Sequence, residues 1–129
     1  MPFKFEKLEV WKESVELSYA VHQLTLSFPK DELYVLIAQL KRAADSVSLN
    51  IAEGSTGQSN AEFRKFLGYS IRSGIEVIGC IYLAKKRSLL GDSDFNKVYA
   101  QTDLMVKRIQ ALRKSILNQT DSGRLTVNS

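Results

Sequence analysis

Apolar residues recur at helical spacing through the middle of the chain: Leu36, Leu40, Ala43 or Ala44, Val47 and Ile51. Beside them runs a polar row, Gln39, Arg42, Ser46, Asn50 and Glu53, at intervals of 3, 4, 4 and 3. That spacing sets all five polar side chains on one side of a helix, bordering its core stripe. Polar groups covered by a neighbour need hydrogen-bond partners, so the row reads as a register-fixing interface or as the lining of a binding cleft. The structural reading predicts that Arg42 and Glu53 pair with the first turns of the next helix or across a subunit boundary. This helix is predicted over about 31–53, after a turn at Phe28-Pro29-Lys30. Pro29 and the acids Asp31 and Glu32 suit a helix start, and Gly54 suits a left-handed stop.

The preceding pattern predicts a first helix over about 6–27. Val10, Leu17, Val21, Leu24 and Phe28 form one stripe, and Leu8, Trp11, Val15, Tyr19 and Leu26 form another. Together they bound an apolar arc of about 220°, wider than packing on one neighbour requires. The excess predicts two packing surfaces, one internal and one for another subunit. Trp11, Leu17, Val21 and His22 are the candidates for oligomer packing.

Ser59 and Glu62 have the spacing of a capping box and open a third helix, expected to reach Leu90 before Gly91 ends it. Its apolar side includes Phe63, Phe66, Leu67, Ile71, Val77, Ile78 and Ile81, with Gly74 and Gly79 permitting close helix approach. Cys80 near the edge of that side reads as a small packed residue. The linker Gly54-Ser55-Thr56-Gly57-Gln58 lacks the lysine and preceding strand of a phosphate loop and reads as a connector. A fourth helix begins at Asp92 or Ser93. Phe95, Val98, Thr102, Met105, Ile109, Leu112 and Ile116 give it a seam with alternating intervals of 3 and 4. The fold class is therefore all-α: an antiparallel up-and-down four-helix bundle over residues 1–118, with a frayed tail over 119–129.

Composition adds a charge asymmetry. Residues 1–60 carry 6 Lys and Arg against 8 Asp and Glu, net −2; residues 61–129 carry 12 against 6, net +6. Lys85, Lys86, Arg87, Lys107, Arg108, Arg113 and Lys114 are thus candidates for contact with nucleic-acid phosphate. A single Cys and a single His cannot supply a zinc set, and Tyr19 stands where a Glu-x-x-His metal motif needs Glu. With no nucleophile, kinase or dinucleotide motif either, the expectation is a protein that is not an enzyme and uses no cofactor. The single Cys, together with apolar runs shorter than a bilayer span, sets the expectation of a cytoplasmic protein without a membrane partner.

Several short motifs occur together: Leu8-Glu9-Val10-Trp11-Lys12, Phe28-Pro29-Lys30, Gln39-Leu40-Lys41-Arg42-Ala43, Asn50-Ile51-Ala52-Glu53-Gly54, Phe66-Leu67, and Ser73 with Glu76. In this order, over about 3–118, they resemble the four-helix-bundle family of proteins encoded in intervening sequences of bacterial 23S ribosomal RNA genes. The resemblance implies a ring-like homopentamer. It also brings in a relative, the accessory protein of diversity-generating retroelements, a basic pentamer that binds nucleic acid and a reverse transcriptase. Lys41, where Arg is common, and Arg72, where a small residue is usual, depart from the family pattern. The expected partners are other copies of the chain, RNA or DNA through the basic surface, or, alternatively, a protein partner for a scaffold without nucleic-acid binding.

Overall fold

The computed structural model describes residues 3–57 and 59–124. Four α-helices follow in order: α1 (Glu9–Thr25), α2 (Ala38–Gly54), α3 (Asn60–Lys86) and α4 (Asp92–Arg124). No strand occurs among the described residues. Contacts across the seams fix the helix directions. Ser46 meets Ser73, Val47 meets Ser70 and Gly54 meets Phe66, so α2 and α3 are antiparallel. Gly74 meets Val106 and Tyr82 meets Phe95, so α3 and α4 are antiparallel too. Glu13 pairs with Arg108, which ties α4 back to α1 and closes the bundle.

The core is the set of stripes expected from the spacing. Leu40, Ala43, Ala44, Val47 and Ile51 of α2 are buried against Phe63, Leu67, Val77 and Ile81 of α3. The α4 seam is buried from Phe95 to Ile116, with Leu112 at its margin. Thr102 is tolerated inside that seam because its hydroxyl donates to the Val98 carbonyl at 2.7 Å.

Helix one shows how its wide apolar arc divides. Val10, Leu17, Val21 and Phe28 point inward, with Ser14 between them. Leu17 and Val21 are 0% exposed within one chain, which corrects their assignment as oligomer-packing residues. Their stripe is the one that faces α2 and α4, and only Leu24 of it is half-buried rather than buried. Of the second stripe, Leu8 packs partly buried against the core, whereas Val15, Tyr19 and Leu26 stay outside, 37%, 64% and 73% exposed. Trp11 is half-buried, with its ring edge-on to Phe5 at 4.8 Å.

Element ends differ from expectation in several places. A 3-10 turn at Lys4–Lys7 precedes α1, and 3-10 and π turns over Lys30–Glu32 and Leu33–Ile37 lead into α2. Gly54 lies inside the last turn of α2 and is not left-handed. A Cβ there would sit 2.5 Å from the Phe66 Cβ, so glycine answers to close approach rather than to the stop signal. α3 ends at Lys86, earlier than Leu90. Ser88 takes the left-handed position at φ 61°, and the amides of Ser88 and Leu89 bond the carbonyls of Lys85 and Ala84. That paired arrangement is a Schellman stop carried by serine. α4 continues to Arg124, past the expected boundary at 118; the rest of the expected tail, 125–129, and Gln58 of the connector lie outside the described residues.

α3 is long and apolar enough by composition to cross a bilayer, longer than the apolar runs suggested. It packs between α2 and α4 and carries Arg64, Lys65, Arg72 and Glu76.

Candidate nucleic-acid interface

The α2 polar row faces α3. Gln39 Nε2 donates to Glu76 Oε2 at 3.3 Å, and Arg42 Nη2 lies 3.6 Å from the same oxygen. The Ser73 hydroxyl donates to Ser46 Oγ at 2.9 Å, and Asn50 Nδ2 donates to the Ser46 carbonyl and hydroxyl at 2.8 and 2.9 Å. Deeper in the seam, buried Ser70 donates to the Val47 carbonyl at 2.9 Å. Arg42 therefore pairs with the middle of α3 and not with its first turns. Glu53 is exposed and forms no ion pair among the described residues. Four of the five row members thus meet one another or α3, which makes the row a seam rather than an open cleft.

Cys80 lies next to this seam and is buried. Burial, and after it the Glu76 carboxylate, push its thiol above the usual cysteine range, while Arg42 pulls the other way. The thiolate is disfavoured, as suits a packed side chain rather than a nucleophile.

His22 meets Asp45 of α2, with Nε2 3.1 Å from Oδ1, and the Ser18 hydroxyl donates to the same oxygen. Spacing of four places Ser18 and His22 on one face of α1, but Asp45 was not anticipated. Serine, histidine and aspartate are all present, yet the carboxylate stands in the middle. A hydrolytic relay needs the imidazole between the hydroxyl and the carboxylate.

The seven basic candidates do not form one patch. Lys85 lies 3.3 Å from Asp92 and 4.5 Å over the Phe95 ring, and Arg87 pairs with Glu32 at 3.0 Å. Lys107 pairs with Asp103 and Arg108 with Glu13. Lys86 ends α3, roughly 33 Å from Arg64 at 1.5 Å per residue. Arg113 and Lys114, by contrast, line a groove between α3 and α4.

That groove spans about 570 Å³ and holds three cations that the charge runs did not reveal: Arg64, Lys65 and Arg72. Arg113 Nε donates to the Arg64 carbonyl at 2.9 Å, and its guanidinium lies alongside Gly68. Lys65 is held by Glu62 at 2.6 Å, whose hydrogen bond and charge raise its pKa. Arg64, Arg72 and Lys114 form no ion pair among the described residues, and no acid lines the groove. The overlooked signal was geometric. Arg64, Gly68 and Arg72 share one face of α3, and the antiparallel register sets that face beside Arg113.

A family model for 23S rRNA-intervening sequence proteins matches residues 6–111. The chain belongs to this family. The match covers all four helices up to the middle of α4, in agreement with the resemblance carried by the short motifs. A comparison with curated proteins finds no significant match. Arg72, within the matched range, is one of the groove's cations without an acidic partner among the described residues.

Proposed function

We propose that the chain is a non-enzymatic, homo-oligomeric protein that binds RNA or DNA weakly through the α3–α4 groove. The observation that carries this reading is the cluster of five cations there, three of them without an acidic partner among the described residues. Lysine and arginine so placed release counterions from a phosphate backbone and give binding that is salt-dependent and indifferent to sequence. Repetition in a ring, the pentamer implied by the resemblance, multiplies a weak site through avidity. The exposed stripe Val15, Tyr19 and Leu26 supports assembly, since apolar side chains left outside one bundle favour a covering surface. A cytoplasmic setting accords with this role.

A mobility shift with structured RNA tests the reading. Binding at low salt should collapse at moderate salt and weaken when Arg72 and Lys114 are both changed to Glu. Absence of any shift at low salt removes the reading, and light scattering reports the subunit count alongside. The same exposed stripe favours a second reading, a protein-interaction scaffold whose basic groove is only solvated. A protein partner retained after nuclease treatment, with no RNA shift, would select it.

A further inference from the structure

The groove holds more than charge. Tyr69 lies on its α3 wall and is 41% exposed, and Ile71 and Gln110 complete the lining. The Tyr69 ring packs edge-on against Phe66, centroids 5.5 Å apart and planes at 83°, so its orientation is supported from below. A half-exposed aromatic beside Arg64, Arg72 and Lys114, none of which has an acidic partner among the described residues, is the combination used to hold unstacked bases. A groove of about 570 Å³ falls within the range that takes small organic ligands, and a nucleotide is one of these.

From this placement we infer that the groove takes an unpaired nucleotide of a single strand, its base stacked on Tyr69 and its flanking phosphates on Arg64, Arg72 and Lys114. The inference rests on the nucleic-acid reading above and narrows it from any phosphate backbone to single strands, loops or ends. A duplex keeps its bases stacked on one another and offers the tyrosine face nothing, whereas its phosphates can still meet the cations. Gln110 stands in the same groove with both a donor and an acceptor for the edge of the base. Neither amide nor ring distinguishes ribose from deoxyribose, so RNA and DNA single strands both satisfy the chemistry.

The test is fluorescence anisotropy at low salt on the full chain. Its probes are labelled pyrimidine 12-mers of RNA and of DNA, and a duplex of comparable length. Tyr69→Ala should weaken single-strand binding about tenfold, the scale of one base stack. Tyr69→Phe, which keeps the ring, should stay within about twofold of the parent, and duplex binding should not change with either substitution. A thermal melt of each variant separates lost stacking from lost fold, and Tyr69→Leu, apolar but without a ring and expected to weaken single-strand binding as alanine does, carries the comparison if the alanine variant melts early. Single strands bound equally well by the parent and Tyr69→Ala, still in a salt-dependent manner, would overturn the stacking inference and leave the phosphate reading standing. No binding of any probe would end both.

Discussion

Gly74 lies so close to Val106 that a Cβ on it would come 2.7 Å from the valine Cγ2. Valine is stiff about its first side-chain torsion, so α3 and α4 would have to separate to admit the methyl group. Gly79, one turn and a residue further on, has open space where its Cβ would go. The same substitution should therefore act in opposite directions. Gly74→Ala should cost about 1–2 kcal/mol from overpacking despite its better helix propensity. Gly79→Ala should add up to about 1 kcal/mol. Val106→Ala in the Gly74→Ala background should recover part of the loss, since the two positions share one contact. Denaturant titration of the four proteins checks this, and equal effects at both glycines would contradict the contact.

Ser88 holds a left-handed conformation at φ 61° where glycine would carry no Cβ penalty. The stop it forms is otherwise complete, with amide bonds of 3.0 and 2.9 Å to Lys85 and Ala84. Ser88→Gly should therefore stabilise the bundle by about 1 kcal/mol, a rise of about 3–5 °C in Tm. Ser88→Val, stiffer and bulkier in that region, should lower Tm. A glycine variant that melts earlier than the parent would contradict this account of the stop.

The contrast between Ser59 and Ser88 shows what was legible in the sequence. Ser59 caps α3 as expected, its hydroxyl accepting from the Glu62 amide at 3.0 Å, because capping is a local matter of one side chain and the next turn. The other end of α3 falls before the expected stop at Gly91 because Ser88 gives no local sign of a left-handed turn. The stripes of α2 and α4 were readable from spacing alone, and so was the polar seam from Gln39 to Asn50. Helix one was readable as over-wide, but which stripe faces inward depends on neighbours far along the chain. The groove was the least legible feature. Its cations stand singly on α3 and become a cluster only when α4 returns antiparallel beside them.

Arg42 and Ser46 belong to one polar row but should differ in weight. The Arg42–Glu76 pair is 3.6 Å long with side chains 71% and 34% exposed, so solvent screens it. Arg42→Ala should change stability by no more than about 0.5 kcal/mol. Ser46 accepts from both Ser73 and Asn50 inside the seam. Ser46→Ala leaves the Ser73 hydroxyl without its acceptor, while Asn50 keeps the Ser46 carbonyl at 2.8 Å, and should cost about 1 kcal/mol. Thermal melts of the two variants compare them directly; a larger loss at Arg42 would place that arginine in an interface beyond the single chain.

Cys80 should react slowly in the native state. Its thiol titrates above the ordinary cysteine range because burial, then Glu76, disfavour the thiolate. A raised native value means that the protonated form contributes stability at neutral pH, and this contribution is lost as pH climbs through the native pKa. Iodoacetamide should modify the guanidinium-unfolded chain faster than the folded chain between about pH 7 and 9. Glu76→Gln should speed the native reaction and Arg42→Ala should slow it, since these residues act on the thiol in opposite directions. Equal rates in folded and unfolded protein would show that the sulfur is open to solvent.

Ser18, Asp45 and His22 offer a sharper chemical test of the non-enzymatic reading. Asp45 Oδ1 accepts the Ser18 hydroxyl and lies 3.1 Å from His22 Nε2, so the serine proton points at a carboxylate and not at the imidazole. A carboxylate is a weak base for that proton, and the histidine is not interposed to carry it. A fluorophosphonate probe should therefore leave Ser18 unlabelled after prolonged incubation, as read by intact mass. The cluster instead joins α1 to α2, and Asp45→Ala should remove both cross-helix contacts at a cost of about 1–2 kcal/mol. Stoichiometric labelling of Ser18, abolished in His22→Ala, would reassign the cluster from a fastening to a nucleophile and bring hydrolysis back into contention.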